Sequence, residues 1–414
     1  MSEPVIVSCT RTPIGAYMGA LREVEPYKLA AGVLNQALEE IGLDSGEVEQ
    51  VIMGQAYQNG ENVNIARMAL LYAGWPEGIP AFTTDSRCCT GLDIVRMASS
   101  LIQSGVCEII AVCGVENMSQ AEFYVPGNHI KWELGGKGAM PRGHGDMNMW
   151  GIPFYDRIQR ARVMSQPLER YGTLPSMMSW AETAAREEGV TREECDKWAL
   201  ESHRKACSAI DEGKFEEEIV PFTVRKSKKE TYEFNVDETP RRDTAMEKLQ
   251  KLTPVQDGVC TAGNSSSEND AAACVVLMSQ EAAQRRKMKP MAKPKAFGFV
   301  GADPRRTYET VPWAINEALE NSDLGLEKMD LIEIQEAFAP QVLADIKMLG
   351  LGQEEHDRIN VNGSGISLGH PIGCTGTRVL VTLVREMQRR GVRYGLESIC
   401  GGGGLGIAAV LENL

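Results

Sequence analysis

A segment that occurs twice in this chain limits the possible folds more than any other feature. Residues 34–39 read LNQALE, and residues 315–320, 281 positions later, read INEALE. The offset grows only to 287 by the end of the match, where Cys113 aligns with Cys400. Two unrelated helix-then-strand segments would share apolar periodicity by chance. Here helix, turn and strand recur in one order, which indicates a duplicated α/β unit.

Each copy has the predicted order β-α-β-loop-α-β. Alternating units of this kind predict a largely parallel sheet covered by helices on both faces. Two such copies that share their central helices give the expected fold class, a duplicated α/β protein with a layered α/β/α/β/α core. In the first copy the predicted elements are strand 5–9, helix 28–41, strand 51–54, helix 91–104 and strand 109–113.

Between the copies lies an insertion that differs from them in composition and in apolar periodicity. It begins with a Gly- and Met-rich stretch, 127–151, which has no steady period and is predicted to be a long loop. Helices are predicted near 179–188 and 192–212, and strands around 219–224 and 232–236. An insertion of this size is typical of a cap that covers a ligand. We therefore predict an N-terminal half (1–117 plus about 269–287), a cap (118–268) and a C-terminal half (288–414).

Charge and composition argue against several classes of protein. The formal net charge of -14 leaves no continuous basic face for a nucleic-acid partner. No apolar run approaches the roughly 20 residues of a membrane span, and the first residues lack signal-peptide features. Eleven cysteines in such a chain suit reduced thiols and a cytoplasmic location. The five histidines show no zinc-ligand spacing, so no metal is expected.

Three loops carry cysteine or histidine among glycines. Cys88 precedes a predicted helix, where the helix dipole and unpaired amides favour a thiolate. A cysteine at such a place is often structural. His370 precedes the equivalent helix of the second copy, so the duplication places it opposite Cys88. Cys400 begins the run 400–406 (CGGGGLG), in which backbone amides can approach a substrate closely.

These loops carry a resemblance to a known family. Residues 88–92 (CCTGL), 369–373 (GHPIG) and 400–406 resemble the nucleophile, histidine and carboxyl-terminal cysteine motifs of the thiolases. Residues 335–339 (QEAFA) and 261–266 (TAGNSS) resemble two further thiolase motifs, the second of which contacts coenzyme A. The motifs occur in the family's order, and the likeness covers essentially the whole chain.

The resemblance implies an acyltransferase that cleaves or forms a 3-oxoacyl-coenzyme A, in β-oxidation or other fatty acid metabolism. Cys88 would attack the substrate and carry the acyl group, His370 would activate it, and Cys400 would move the second proton. The amides of Cys88 and Gly402 would form one oxyanion site. His370 would form the other, together with a water held by Gln335.

The resemblance also implies partners. Coenzyme A would be a substrate, with no permanently bound cofactor, and its contacts would include Arg241, Ala262 and Ser266. A homodimer or a dimer of dimers is expected, and an accessory subunit is left open.

The chain departs from the family pattern at positions that bear on substrate choice. Position 335 is asparagine or histidine in relatives, and a histidine-methionine-glycine triplet aligns with Ser176, Met177 and Met178. Acetoacetyl-coenzyme A is the default substrate, and a bulkier or aromatic 3-oxoacyl-coenzyme A is the alternative. A non-catalytic acyl carrier is a third reading. Cys89 beside Cys88 is expected to be a free thiol, since a vicinal disulfide would be strained.

Overall fold

The computed structural model describes residues 2–126, 154–173 and 177–414. Most described strands belong to one mixed β-sheet. The strand bounds are β1 Pro4–Arg11, β2 Gly15–Ala16, β3 Gln50–Gly54, β4 Ala81–Thr84, β5 Ile109–Asn117, β6 Phe123–Tyr124, β7 Tyr155–Asp156, β8 Phe222–Ser227, β9 Glu230–Phe234, β10 Asn269–Ser279, β11 Ala292–Gly301, β12 Leu331–Ile334, β13 Tyr394–Gly401 and β14 Leu405–Asn413.

The sheet consists of two half-sheets that the sequence repeat relates. The first has the order β4-β3-β5-β10-β1, and the second has the equivalent order β12-β13-β14-β11. A single antiparallel pair, Ile6 with Ala292, joins them. The counterpart of β4 is a parallel bridge between Ile332 and Ile359. The duplicated α/β architecture predicted from the sequence is confirmed.

The prediction of a largely parallel sheet was wrong in detail. In the first half-sheet β3 runs parallel to β4 and β5, but β10 runs antiparallel to both β5 and β1. In the second, β13 runs parallel to β12 and antiparallel to β14. In the second half-sheet the cause is the glycine-rich turn 402–404, since two strands joined by a short turn can only be antiparallel neighbours. In the first, the insertion takes the place of this turn between β5 and β10.

Helices cover both half-sheets, and two of them lie between the halves. Buried side chains from both copies form one shared core, in which Leu92 and Val95 pack with Leu380 and Val384. The helices of the two copies are α1 Pro26–Ile41, α2 Ile65–Tyr72, α3 Thr90–Gln103, α10 Thr310–Ser322, α11 Ala339–Met348, α12 Gly365–Leu368 and α13 Thr375–Arg390, with α9 Gln280–Arg286 linking them.

The inserted segment packs on the C-terminal half. Trp180 and Trp198 lie in the same buried cluster as Ile315 and Ile366. The Trp198 indole N–H donates to Glu336 Oε1 at 2.9 Å. The insertion's helices are α4 Arg157–Val163, α5 Leu168–Tyr171, α6 Met178–Glu188, α7 Arg192–Asp211 and α8 Met246–Leu249. Its two predicted longer helices are confirmed, and the predicted strand pair is the β8-β9 hairpin.

Some predictions fall outside the described residues, namely the long loop 127–151 and Ser176. Within the part of the chain that the structure describes, no helix combines the length and apolar character needed to cross a bilayer. The same part holds no cluster of histidine, cysteine and carboxylate side chains suited to a metal ion. All eleven cysteines lie in the described ranges and are free thiols, including Cys89.

Candidate active site

Cys88 lies in a tight loop between β4 and α3. The Ser86 amide donates to Thr90 Oγ1 at 2.7 Å, and that hydroxyl donates to the Arg87 carbonyl at 2.6 Å. Arg87 has a φ of +58°, a left-handed conformation that non-glycine residues seldom adopt. The loop therefore holds the Cys88 side chain in one direction, just ahead of the helix, where it is partly exposed.

His370 lies in the equivalent loop before α13. Gly369 has a φ of +95°, and a Cβ there would lie 2.3 Å from the Asn269 side chain. Only glycine fits that position. The His370 amide donates to Asn269 Oδ1 at 2.9 Å, which ties the loop to β10. His370 Nε2 lies 3.2 Å from Cys88 Sγ, so the duplication brings base and thiol into contact.

Thr375 fixes which ring nitrogen of His370 carries the proton. His370 Nδ1 lies 2.7 Å from Thr375 Oγ1, and that hydroxyl donates its proton to the Pro371 carbonyl at 2.9 Å. Because its proton is already used, the hydroxyl accepts from Nδ1–H. Nε2 is then the unprotonated nitrogen, and it can accept a proton from the Cys88 thiol.

Burial keeps both partners neutral at rest. It raises the pKa of Cys88 to about 11, although amide hydrogen bonds and the nearby Arg87 charge act in the opposite direction. Burial, with the charges of Arg378 and Arg162, lowers the pKa of His370 to about 3. The predicted effect of the amide at the helix start is present, since the Cys88 amide lowers the pKa of the Cys88 thiol, but burial raises this pKa by more. A thiolate forms only when His370 takes the proton.

The glycine-rich turn after β13 brings Cys400 and Gly402 to the same place. The backbone amides of Gly402 and of Cys88 itself act to lower the pKa of the Cys88 thiol, so both lie close to its sulfur. The Cys400 side chain is buried, and burial together with the proximity of Cys88 raises the pKa of its thiol well above the ordinary value. Cys400 is therefore a protonated thiol that can supply a proton.

Equivalent glycines set the distance between the two halves. A Cβ on Gly376 in α13 would lie 2.3 Å from the amide nitrogen of Leu92. A Cβ on Gly91 in α3 would lie 2.5 Å from the amide nitrogen of Thr377. Neither space admits a side chain, so α3 and α13 touch backbone to backbone. The two loops that precede these helices meet for that reason.

A cavity of about 330 Å³ opens over these groups. Cys88, His370, Cys400 and Gly402 all line it, as does Ser266. Most of its remaining described lining is apolar or aromatic, as in Tyr57, Met118, Met177, Trp180 and Phe338. The three chemistry-bearing loops predicted from the sequence therefore line one cavity that is large enough for an acyl group.

Three predicted site residues lie outside the cavity wall. Gln335 is buried nearby, where its Oε1 accepts from Arg378 at 3.4 Å. Its amide nitrogen has no hydrogen-bond partner among the described residues. Arg241 and Ala262 are exposed. The roles assigned to these three residues stay predictions.

Glu116 is a positioning residue that the sequence analysis missed. It is fully buried at the end of β5 and accepts backbone N–H donors from Ala56, Tyr57 and Gly373 at 2.8 to 3.2 Å. Gly373 belongs to the His370 loop, so this carboxyl ties the two halves together. One feature of the sequence could have indicated this role. Glu116 directly follows the apolar run 109–115, and a carboxylate beside a buried strand is seldom buried unless it has partners.

Replacing His370 with alanine should make alkylation of Cys88 depend on the acidity of the thiol alone. With the pKa of Cys88 raised to about 11, the thiolate fraction increases about tenfold per pH unit between about pH 7 and pH 10. The rate at which iodoacetamide alkylates Cys88 should therefore increase about tenfold per pH unit. Near pH 7 this rate should be at least about tenfold lower than in the wild type, where His370 can take the proton. Mass mapping of the Cys88 peptide measures it. A plateau near pH 9 in this variant would contradict the raised pKa of Cys88.

Family models and relatives match this chain over nearly its whole length. A model described as "Thiolase, N-terminal domain" matches residues 4–281, and one described as "Thiolase, C-terminal domain" matches residues 288–413. An acetyl-CoA acetyltransferase of Pseudomonas aeruginosa is 39% identical over 99% of both chains. One of Escherichia coli is 39% identical over 100% of both chains.

Solved structures agree with the sequence matches. The Bacillus anthracis acetyl-CoA acetyltransferase superimposes with a TM-score of 0.89 at 38% identity and covers 100% of this chain and 99% of its own. Human mitochondrial 3-ketoacyl-CoA thiolase in complex with CoA gives a TM-score of 0.88 at 32% identity and covers 100% of this chain and 98% of its own.

Proposed function

The chain belongs to the thiolase family, and from that premise we propose how its own residues perform the family reaction. The enzyme is an acyltransferase that cleaves a 3-oxoacyl-coenzyme A with coenzyme A, or condenses two acyl-coenzyme A molecules in reverse. Acetoacetyl-coenzyme A is the default substrate. The contact of Cys88 Sγ with His370 Nε2 at 3.2 Å, in a cavity that Cys400 also lines, carries the assignment of roles.

In the first half of thiolysis, His370 Nε2 takes the Cys88 proton as the sulfur attacks the 3-oxo carbon. The bond between C2 and C3 of the substrate then breaks. The electron pair stays on C2, and the Cys400 thiol protonates this carbon. The fragment that contains C2 then leaves as acetyl-coenzyme A, and the fragment that contains C3 stays on Cys88 as the acyl group. In condensation Cys400 removes that proton instead.

In the second half, the thiol of coenzyme A gives its proton to the Cys400 thiolate and its sulfur attacks the acyl group on Cys88. The bond between the acyl carbon and the Cys88 sulfur breaks, and Cys88 takes its proton back from His370. Both halves place negative charge on a carbonyl oxygen. The amides of Cys88 and Gly402, which converge beside the sulfur, are suited to stabilise the oxyanion on the acyl group. His370, once protonated, is suited to the oxyanion of the other fragment, with a water at Gln335 as the predicted partner.

Coenzyme A is proposed to pass Ser266, which lines the cavity, and then Ala262 and Arg241 on the exposed side of the insertion. We further propose that the enzyme is cytoplasmic and forms a homodimer or a dimer of dimers. Its proposed role is in fatty acid degradation. The reading as a non-catalytic carrier is not favoured, because nucleophile and base are in contact.

The proposal is tested by mixing the enzyme with acetoacetyl-coenzyme A, first without and then with free coenzyme A. Without coenzyme A, we expect intact mass spectrometry to show one added acetyl group and peptide mapping to place it on Cys88. Adding coenzyme A should remove the label and produce acetyl-coenzyme A. Turnover with no label on Cys88 would refute the assigned nucleophile, and absence of both would refute the function.

A further inference from the structure

Three lining residues of the active cavity carry ionic side chains, namely Arg87, Arg162 and Glu268. Arg162 and Glu268 form an ion pair with each other. The Arg87 guanidinium has no hydrogen bond or ion pair with any residue that the structure describes. With His370 neutral, the charges of these described lining residues sum to one positive charge, that of the partly buried Arg87. A cation without a partner in a ligand cavity favours an anionic ligand.

Arg87 lies on one particular side of the cavity. Tyr57 and Met118 belong to a small apolar cluster against which Ile372 packs, and this cluster forms one wall. The positive charge of Arg87 acts on the pKa of Tyr57 as well as on that of Cys88, so Arg87 lies beside this wall. The Tyr57 hydroxyl has no hydrogen-bond partner among the described residues and is a second donor there.

A second part of the cavity wall is the one proposed to carry coenzyme A. It consists of Trp180, Ala337, Phe338 and Cys400, which belong to the large cluster of the C-terminal half. The amide of Ser266, the proposed pantetheine contact, donates to the Ala337 carbonyl at 3.0 Å. Arg87 lines another part of the same cavity and precedes Cys88 in the sequence, so its side chain lies on the side of the residue that carries the acyl chain.

We propose that this enzyme acts on 3-oxoacyl-coenzyme A substrates whose acyl chain ends in a carboxylate, and that Arg87 binds that carboxylate. The inference rests on the function proposed above and names the substrate class of the same site. Arginine offers paired N–H donors that match a carboxylate, and the Tyr57 hydroxyl can add a third donor.

The chemistry follows the same two half-reactions. The Cys88 sulfur bonds to C3, the bond between C2 and C3 breaks, and Cys400 protonates C2 to release acetyl-coenzyme A. The group left on Cys88 is the monoacyl form of a dicarboxylic acid, with its free carboxylate at Arg87. Coenzyme A then takes this acyl group as a thioester. The carboxylate itself gains and loses no bond, so Arg87 is a specificity residue.

The test compares two substrates of equal carbon number, 3-oxoadipyl-coenzyme A and 3-oxohexanoyl-coenzyme A, with acetoacetyl-coenzyme A as reference. Wild-type kcat/KM should be higher for 3-oxoadipyl-coenzyme A than for 3-oxohexanoyl-coenzyme A. In Arg87→Gln the ratio of these two values should fall by about tenfold or more, as expected for loss of a charged hydrogen bond. The ratio of the two kcat/KM values is measured because the Arg87 charge also acts on Cys88. That effect changes both reactions equally and cancels in the ratio.

Control variants separate specificity from other effects. Arg96→Gln makes the same charge change on α3, where Arg96 is paired with Asp93 away from the cavity, and it should leave the ratio as in wild type. Arg87→Lys keeps the charge and should lose less of the ratio than Arg87→Gln. An equal fall for both substrates would show that Arg87 serves coenzyme A or Cys88 instead, and would overturn the proposal.

The two proposals fail in different ways. A wild-type enzyme that cleaves acetoacetyl-coenzyme A but prefers 3-oxohexanoyl-coenzyme A over 3-oxoadipyl-coenzyme A would refute the carboxylate site alone. A wild-type enzyme that cleaves none of the three and accepts no acyl group on Cys88 would refute the thiolase function. If Arg87→Gln does not fold, the wild-type preference together with the Arg87→Lys ratio still decides the question.

Discussion

Replacing Cys88 with alanine should lower the kcat for acetoacetyl-coenzyme A thiolysis by about four orders of magnitude or more. The sulfur carries the acyl group between the two half-reactions, and no other nucleophile among the described cavity residues touches His370. Steady-state absorbance of the 3-oxoacyl thioester measures the loss. Activity that stays within about tenfold of wild type would mean that another group carries the acyl chain.

Cys400→Ala provides the matched control, because it removes a thiol of the same size from the same cavity. This variant should also lose condensation and thiolysis, since C2 then has no proton donor or acceptor. It should still accept an acetyl group on Cys88 from acetyl-coenzyme A, whereas Cys88→Ala should not. Intact mass spectrometry distinguishes the two variants. Labelling of both or of neither would contradict the separate roles of the two cysteines.

Replacing Gly376 with valine should destabilise the protein by about 3 kcal/mol or more, an effect as large as that of a severe core substitution. A Cβ there meets the Leu92 amide nitrogen at 2.3 Å and the Gly91 carbonyl carbon at 2.9 Å. Both are backbone atoms that cannot rotate away, so α3 and α13 must separate. Thermal or urea unfolding measures the stability, and Cys88 labelling by acetyl-coenzyme A should weaken in parallel as the two loops move apart.

The control for this prediction is Gly78→Ala, since a Cβ on Gly78 meets no atom within 4 Å. Its unfolding free energy should stay within about 0.5 kcal/mol of wild type. Gly376→Ala should fall between the control and Gly376→Val, although alanine normally stabilises a helix by about 1 kcal/mol relative to glycine. If Gly376→Ala proves as stable as wild type, backbone contact between the two helices does not limit the packing.

The candidate catalytic residues Cys88, His370 and Cys400 could be singled out because they lie in glycine-bordered loops that resemble thiolase motifs. Gly369 avoids Asn269, and Gly401 approaches Cys89 so closely that a Cβ would lie 2.8 Å from its sulfur. Glycines mark the places where the backbone approaches another segment closely, and such a loop holds the side chain of its neighbouring residue in one direction. Glu116 was missed, because its three donors come from segments far apart in sequence.

The sequence by itself determined the duplicated α/β architecture and the meeting of the Cys88 and His370 loops. Both follow from local patterns and from a symmetry that any repeated unit imposes on its copies. Only the tertiary structure decided the protonation of the pair, the antiparallel strands of each half-sheet and the unpaired charge of Arg87. Those properties depend on burial and on neighbours from distant segments, and burial changes the energy of a charge by more than a local pattern can indicate.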